Sequence, residues 1–184
     1  MSLHTLSFLV EDKPVVLTPV AGLFAARGFN IDSLAVGPTE VDGMSRMTIV
    51  VNVESKPLEQ VTKQLNKLVN VIKIIEHDPR ETVERELMLV KVRANGEDRH
   101  RVMEIANVFR STVVDVTRST VTLEATGKPD KLEALLQLLD DFGVIELSRT
   151  GRSALARGDR GIKEKGSKRR ALTAVADEYT GGGV

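Results

Sequence analysis

An α+β fold, built as two tandem ferredoxin-like (βαββαβ) domains with a flexible C-terminal tail, is predicted by three observations. Residues 5–76 hold four segments with the two-residue alternation of half-buried strands and two with helical spacing, in the order βαββαβ. The same order recurs over residues 87–148. Beyond residue 150 the periodicity gives way to glycine and charge.

In the first unit, Thr5 to Val10 reads as a strand with Leu6, Phe8 and Val10 on one side. A short helix follows, carrying Val20, Leu23, Phe24 and the stem of Arg27 inward, and Gly28 stops it as a left-handed C′ residue. Asn30 to Pro38 and Ser45 to Val53 are strands joined by the hairpin loop Thr39-Glu40-Val41-Asp42-Gly43, with Met47, Ile49, Val51 and Val53 facing one way. Leu58, Val61, Leu65 and Leu68 form one face of a helix over Pro57 to Asn70, and Val71 to Glu76 is the closing strand. The second unit repeats this: a strand at Leu87–Ala94 and a helix at Arg99–Phe109 with Val102, Ile105, Ala106 and Phe109 inward. A hairpin at 112–116 and 120–126, a helix at Asp130–Asp141 with Leu132, Leu135, Leu136 and Leu139 inward, and a strand at Val144–Ser148 complete it. Each unit therefore encodes an antiparallel sheet with two helices on one face. The expected divisions are a first domain at 1–78, a linker at 79–85 containing Pro79, a second domain at 86–150, and a tail at 151–184. That tail holds 8 Lys or Arg and 4 Asp or Glu, and is expected to be mobile.

Composition narrows the chemistry. The 184 residues are long enough to bury roughly 70% of the unfolded surface without staples. No cysteine is present, which excludes disulfides, thiolate metal sites and a Cys nucleophile. Lys plus Arg equals Asp plus Glu at 26 each, and there is one Tyr and no Trp, so neither a global field nor a stacking platform invites nucleic acid. No apolar run is long enough for a membrane span, and the N-terminal Met1-Ser2-Leu3-His4-Thr5 lacks a signal-peptide pattern, so a cytoplasmic location without membrane or nucleic-acid partners is expected.

His4, His77 and His100 are scattered singly and read as surface residues. Glu76-His77-Asp78 reads as a polar strand end running into the linker, because neighbouring strand side chains point to opposite faces. Neither a nucleophile elbow, a P-loop nor a dinucleotide fingerprint is present, and the catalytic residue expectation is none, with no metal site. The loop Glu11-Asp12-Lys13-Pro14-Val15-Val16, together with Gly28-Phe29-Asn30-Ile31-Asp32, carries more information. With the end of strand one taken to adjoin the start of strand two, helix N–H groups could hold a carboxylate there while Asp12 or Asn30 accepts from an ammonium. A free amino acid suits such a site; the plainer reading makes Asp12 a turn residue and Asn30 a cap at the strand entry.

The stretches Leu23-Phe24-Ala25-Ala26-Arg27-Gly28-Phe29-Asn30-Ile31-Asp32-Ser33-Leu34, Ser45-Arg46-Met47-Thr48-Ile49-Val50-Val51 and Lys63-Gln64-Leu65-Asn66-Lys67-Leu68-Val69-Asn70-Val71 resemble the regulatory (small) subunits of acetohydroxyacid synthase, also called acetolactate synthase. Arg85 to Val92, Val114-Asp115-Val116 and Arg152-Ser153-Ala154-Leu155-Ala156-Arg157-Gly158 extend the resemblance through the second unit. It implies that the first unit is an ACT domain, and that the chain is a homodimer in branched-chain amino acid biosynthesis. Such a dimer binds and activates the large catalytic subunit, on which thiamine diphosphate, Mg²⁺ and FAD reside, and confers feedback inhibition by valine, with leucine or isoleucine as other effectors. It places the effector at the ACT dimer interface, on the positions matching Asp12, Val15, Val16, Asn30 and Ile31. A stand-alone tandem-ACT amino-acid-sensing regulator is the alternative.

Two residues depart from the family pattern. Val15 stands where the family carries glycine, and Pro19 where it carries another residue. Thr18-Pro19 resembles an N-cap followed by the first helical position, which predicts a short helix from Pro19 to Arg27, displaced N–H groups and weakened valine sensing. Alternatively the helix keeps its family start and tolerates Pro19 within the first turn.

Overall fold

The computed structural model describes residues 2–14, 16–53 and 55–162. Its first sheet holds β1 (Ser2–Glu11), β2 (Ile31–Pro38), β3 (Met44–Val53) and β4 (Val71–His77), with α1 (Leu17–Ala25) and α2 (Ser55–Leu65) between them. The strand order is β2-β3-β1-β4, and the ladders β1·β3, β1·β4 and β2·β3 are antiparallel. Strands β1 and β2, joined through a helix, therefore run the same way. The residues at alternate positions that predicted this sheet form its core: Leu6, Phe8, Val10, Met47, Ile49 and Val51 bury against Val20, Phe24, Leu58, Val61 and Leu65 of the helices.

The second sheet repeats the plan with β5 (Thr82–Arg93), β6 (Thr112–Val116), β7 (Thr120–Gly127) and β8 (Val144–Arg149) in the order β6-β7-β5-β8. Helices α3 (Gly96–Val108) and α4 (Pro129–Asp140) supply Val102, Ala106, Leu132, Leu135 and Leu139 to its core. Helix α2 ends at Leu65 rather than Asn70, and its exit tightens into successive turns, with Lys67 and Leu68 N–H donating three residues back.

Three expectations need correction. Residues 82–85, assigned to a linker, are the start of a twelve-residue β5. Residues 151–162, assigned to the tail, contain a ninth strand, β9 (Ser153–Ala156), which pairs with β5 from Thr82↔Ala156 to Arg85↔Ser153. Four residues between glycines carry too little period to announce a strand whose partner lies about seventy positions away in the chain. The mobility expected of the tail concerns residues 163–184, which lie outside the described residues. Third, His77 is buried, not at the surface (8% exposed).

That burial has a structural cause. The helix-free face of the first sheet carries Thr5, Ser7, Thr48 and His77, all polar, and all less than a tenth exposed. The β5–β9 ribbon covers it: Arg46 Nη1 donates to the Ala154 carbonyl at 3.2 Å, and Ala154 and Ile162 are buried. A small cavity of about 230 Å³ remains between the ribbon and the sheet, with Ser7 and His77 on one wall and Ala156 and Ile162 on the other.

Candidate functional site

Helix α1 begins at Leu17, two residues before Pro19, so the start displaced to Pro19 is not what forms. Pro19 occupies the third helical position, where a missing N–H costs nothing, because the first four N–H groups of a helix have no intrahelical partner. Val16, at the N-cap, has helical backbone angles and makes no side-chain cap bond. It is buried at 4% exposure, and its N–H donates to the Lys13 carbonyl at 3.2 Å. The N–H groups of Leu17 and Thr18 thus stay at the helix mouth. Asp12 is exposed, its N–H fixed on the Gly43 carbonyl at 2.8 Å. Val15 lies outside the described residues.

At its other end α1 closes as a glycine C-cap. Gly28 has φ +68°, and Phe29 N–H donates back to the Phe24 carbonyl at 3.0 Å. The Phe29 ring packs on Phe24 (centroids 6.4 Å apart), whose edge meets Phe8 at 6.5 Å. This aromatic row anchors the segment that follows. Asn30 is exposed and its side-chain amide donates to Asp32 Oδ1 at 3.0 Å, while Ile31 packs at the margin of the core.

The structure does not bring the five expected residues together within one chain. Ile31 pairs with Val51 on β3, and Val51 faces His4 near the start of β1, whereas Glu11, just before Asp12, faces Met44. Seven residues of β3 separate the two levels, about 23 Å at strand rise. The end of β1 adjoins the start of α1, and the start of β2 lies at the opposite end of the sheet. A parallel crossover requires this, so the expected adjacency was a misreading of topology.

Residues 6–73 match the family described as the AHAS small subunit-like ACT domain, and residues 85–158 that described as the small subunit of acetolactate synthase. The chain belongs to the acetolactate synthase small-subunit family. It is 58% identical over 159 residues to the acetolactate synthase small subunit of Mycolicibacterium smegmatis, covering 86% of this chain and 94% of that one. A probable acetolactate synthase small subunit of Methanothermobacter thermautotrophicus is 49% identical over 158 residues, covering 85% and 94%. The crystal structure of the Thermotoga maritima small subunit superposes with a TM-score of 0.80 at 42% identity, covering 87% of this chain and all of that one. The small-subunit match runs through residue 158, so β9 lies inside the matched family domain rather than in a tail.

Two further features of this small-subunit chain were not anticipated. Between the domains lies a polar cleft of about 470 Å³, reached by Asp32 and Ser33 from β2, by Glu86 and Arg149, and by Asp130 and Glu133 at the start of α4. In it the buried Glu86 meets Arg149 Nε at 3.3 Å, and Arg149 also reaches Glu133 at 3.6 Å. The other feature is His77, whose Nε2 lies 2.8 Å from Ser7 Oγ. Thr82 Oγ1 donates to the Asp78 carbonyl at 2.6 Å, so toward His77 Nδ1, 3.4 Å away, it acts as acceptor. These partners suit an imidazole with its proton on Nδ1, and burial followed by the Arg46 charge holds its pKa below the usual histidine value, against an opposing pull from Glu84. Thr5 and Ser7 alternate with the apolar residues of β1, a pattern that reads as an exposed face and carries no signal of the cover.

Proposed function

We propose that this chain is the non-catalytic regulatory subunit of an acetohydroxyacid (acetolactate) synthase, activating the catalytic subunit and conferring feedback inhibition by valine. The observation that carries the reading is its identity to acetolactate synthase small subunits through both domains, at 58% over nearly the whole length of the Mycolicibacterium relative. On this reading the reaction, with the thiamine diphosphate, Mg²⁺ and FAD that the resemblance assigns to it, belongs to the large subunit.

The separation of Asp12 and Val16 from Asn30 and Ile31 favours a site shared by two copies. Strand β2 is an edge of its sheet, with β3 on one side only. Two such edges meeting antiparallel about a two-fold axis put the start of one β2 at the end of the sheet where the partner's β1–α1 segment lies. Valine then has apolar contacts in Val16 and Ile31, hydrogen-bond acceptors for its ammonium in Asp12 and Asn30, and N–H donors for its carboxylate at Leu17 and Thr18. Because α1 starts at Leu17, those donors are retained despite Pro19, which supports valine sensing over its loss.

Acetolactate formation by the cognate large subunit, with and without this chain and titrated with valine, leucine and isoleucine, tests the reading. Activation reversed by valine is expected. Activation indifferent to all three removes the effector from the proposal, and no activation refutes the regulatory role in favour of a stand-alone sensor.

A further inference from the structure

The start of β2 touches the second domain directly, and the contact has features of a coupling point. The backbone N–H of Arg152 donates to Ser33 Oγ at 2.8 Å across 119 positions of sequence. Gly151, at φ +80°, is pressed against the same strand: a Cβ there would sit 2.9 Å from the Leu34 carbonyl oxygen and 3.0 Å from Ser33 Oγ. Only glycine satisfies both the backbone angle and the approach.

On the near side of this contact, β2 is irregular. Its register with β3 slips between Ile31 and Ser33, so Asp32 is an extra residue in the ladder. Such a bulge lets the strand shift locally without breaking the sheet. On the far side everything is tied down. Thr150 N–H donates to the Leu87 carbonyl at 3.1 Å, and Thr150 Oγ1 accepts from the Leu87 N–H at 3.1 Å. Arg149 holds Glu86 and Glu133, and β9 is paired to β5.

We propose that Ser33 and Gly151 are positioning residues through which an effector at Asn30 and Ile31 is felt by the second domain. The inference rests on the effector reading above. A ligand that moves the bulged start of β2 moves Ser33. Ser33 carries the Arg152 N–H, and with it the segment 149–152 that sets β5, β8 and α4. An effector with different affinity for two settings of this contact shifts the population between them, which is the requirement for regulation at a distance.

The test uses the full chain with its catalytic subunit, with variants Ser33→Ala, Gly151→Ala and Ser33→Thr. Valine binding to the free small subunit is measured by calorimetry beside inhibition of the complex. Ser33→Ala and Gly151→Ala are expected to activate as the unaltered chain does and to bind valine within about twofold. Their half-inhibition concentration should rise at least about fivefold, the lower end of typical coupling factors. Ser33→Thr, which keeps the hydroxyl acceptor, should restore sensitivity. Inhibition of both disrupting variants at unaltered valine concentrations overturns the inference alone. Loss of valine binding by Ser33→Ala makes Ser33 a ligand contact and overturns it as well. An unaltered chain that binds no valine in the calorimeter removes the effector reading and this inference together.

Discussion

Two glycines six residues apart, one inside α1 and one just past its end, should respond to the same substitution with opposite signs. Gly22 lies inside α1 and Gly28 terminates it, and a Cβ added at either meets nothing within 4 Å. Packing therefore cannot separate them; backbone conformation does. At Gly22 the chain is helical, and alanine is favoured over glycine there by about 0.8–1 kcal/mol, since glycine has more freedom to lose on folding. At Gly28 φ is +68°, where an L-residue crowds its own carbonyl at a cost of about 1–2 kcal/mol. Gly22→Ala should raise the thermal midpoint by about 2–4 °C and Gly28→Ala lower it by about 2–8 °C, given the scaling for chains of this size. Calorimetric melting of both variants beside the unaltered chain checks this, and Gly43→Ala, at φ +74° in equally open space, should follow Gly28. Shifts of one sign for Gly22→Ala and Gly28→Ala would refute the reasoning, because the only difference invoked is φ. Gly28 also turns the chain into Phe29, Asn30 and Ile31, so on the proposed function its variant loses valine sensitivity while Gly22→Ala keeps it.

Asn30→Ala or Asp12→Ala should raise the valine concentration for half-inhibition about tenfold or more, the scale of a hydrogen bond to a charged group, and leave activation intact; unchanged inhibition makes them turn residues. Arg149→Ala strips Glu86 of its guanidinium inside the cleft and should cost roughly 2 kcal/mol in urea denaturation, less than a fully enclosed pair because Arg149 is 30% exposed. Adding Glu86→Gln should recover much of that loss. Because the folded-state pKa of His77 lies below its unfolded value of 6.5, the unfolded chain takes up its proton first, and stability falls as pH drops below about 7. The His77 contribution to that fall cannot exceed about 1.4 kcal/mol per pH unit, and the comparison of unaltered chain with His77→Gln at pH 7.5 and 5.5 isolates it. Ile162→Ala, at a site only 6% exposed, should destabilise by about 2–4 kcal/mol, a result that no freely mobile tail would give.

The cores and the order of elements were legible because one face of each strand and helix is buried, which writes period 2 or 3.6 into the sequence. The first glycine cap was legible for the same local reason: Gly28 has to be glycine. What escaped notice is non-local. β9 is four residues long, and its meaning lies in Thr82–Arg85, far back in the chain. His77 sits at a strand end next to Asp78 and Pro79, and nothing near it in sequence says that residues 154–162 will cover it. The Pro19 expectation failed for a different reason. Proline opposes helix by its missing N–H and by its ring's clash with the carbonyl four residues back. At the third helical position the N–H has no partner to lose and that carbonyl lies before the helix. For the candidate site, the residue types pointed to amino-acid chemistry, but the assumed adjacency ignored that a strand, a helix and a second strand in one sheet run parallel.

The two halves share one topology, yet they are not equivalent, and β5 is the reason. Its second half is the central strand of the second sheet, flanked by β7 and β8; its first half pairs with β9 and lies over the helix-free face of the first sheet. A flexible linker would have let the two domains rotate freely. A continuous strand does not, so relative motion has to bend β5 or slide the ribbon over the first sheet. The face it would slide on is mixed: Thr5, Ser7, Thr48 and His77 share it with Leu9 and Val50, and a small cavity is left open beside Ala156 and Ile162. Interlocked apolar cores resist such sliding, because they are close-packed and lose dispersion contacts at once. A mixed layer with spare volume resists it less. Among the described residues the interface is fastened by the Arg46–Ala154 bond on β3, the Thr82–His77 bond on β4 and the Ser33–Gly151–Arg152 contact on β2. Of these, the contact on β2 begins two residues from Ile31, at the bulged start of its strand, beside the segment proposed to sense the effector.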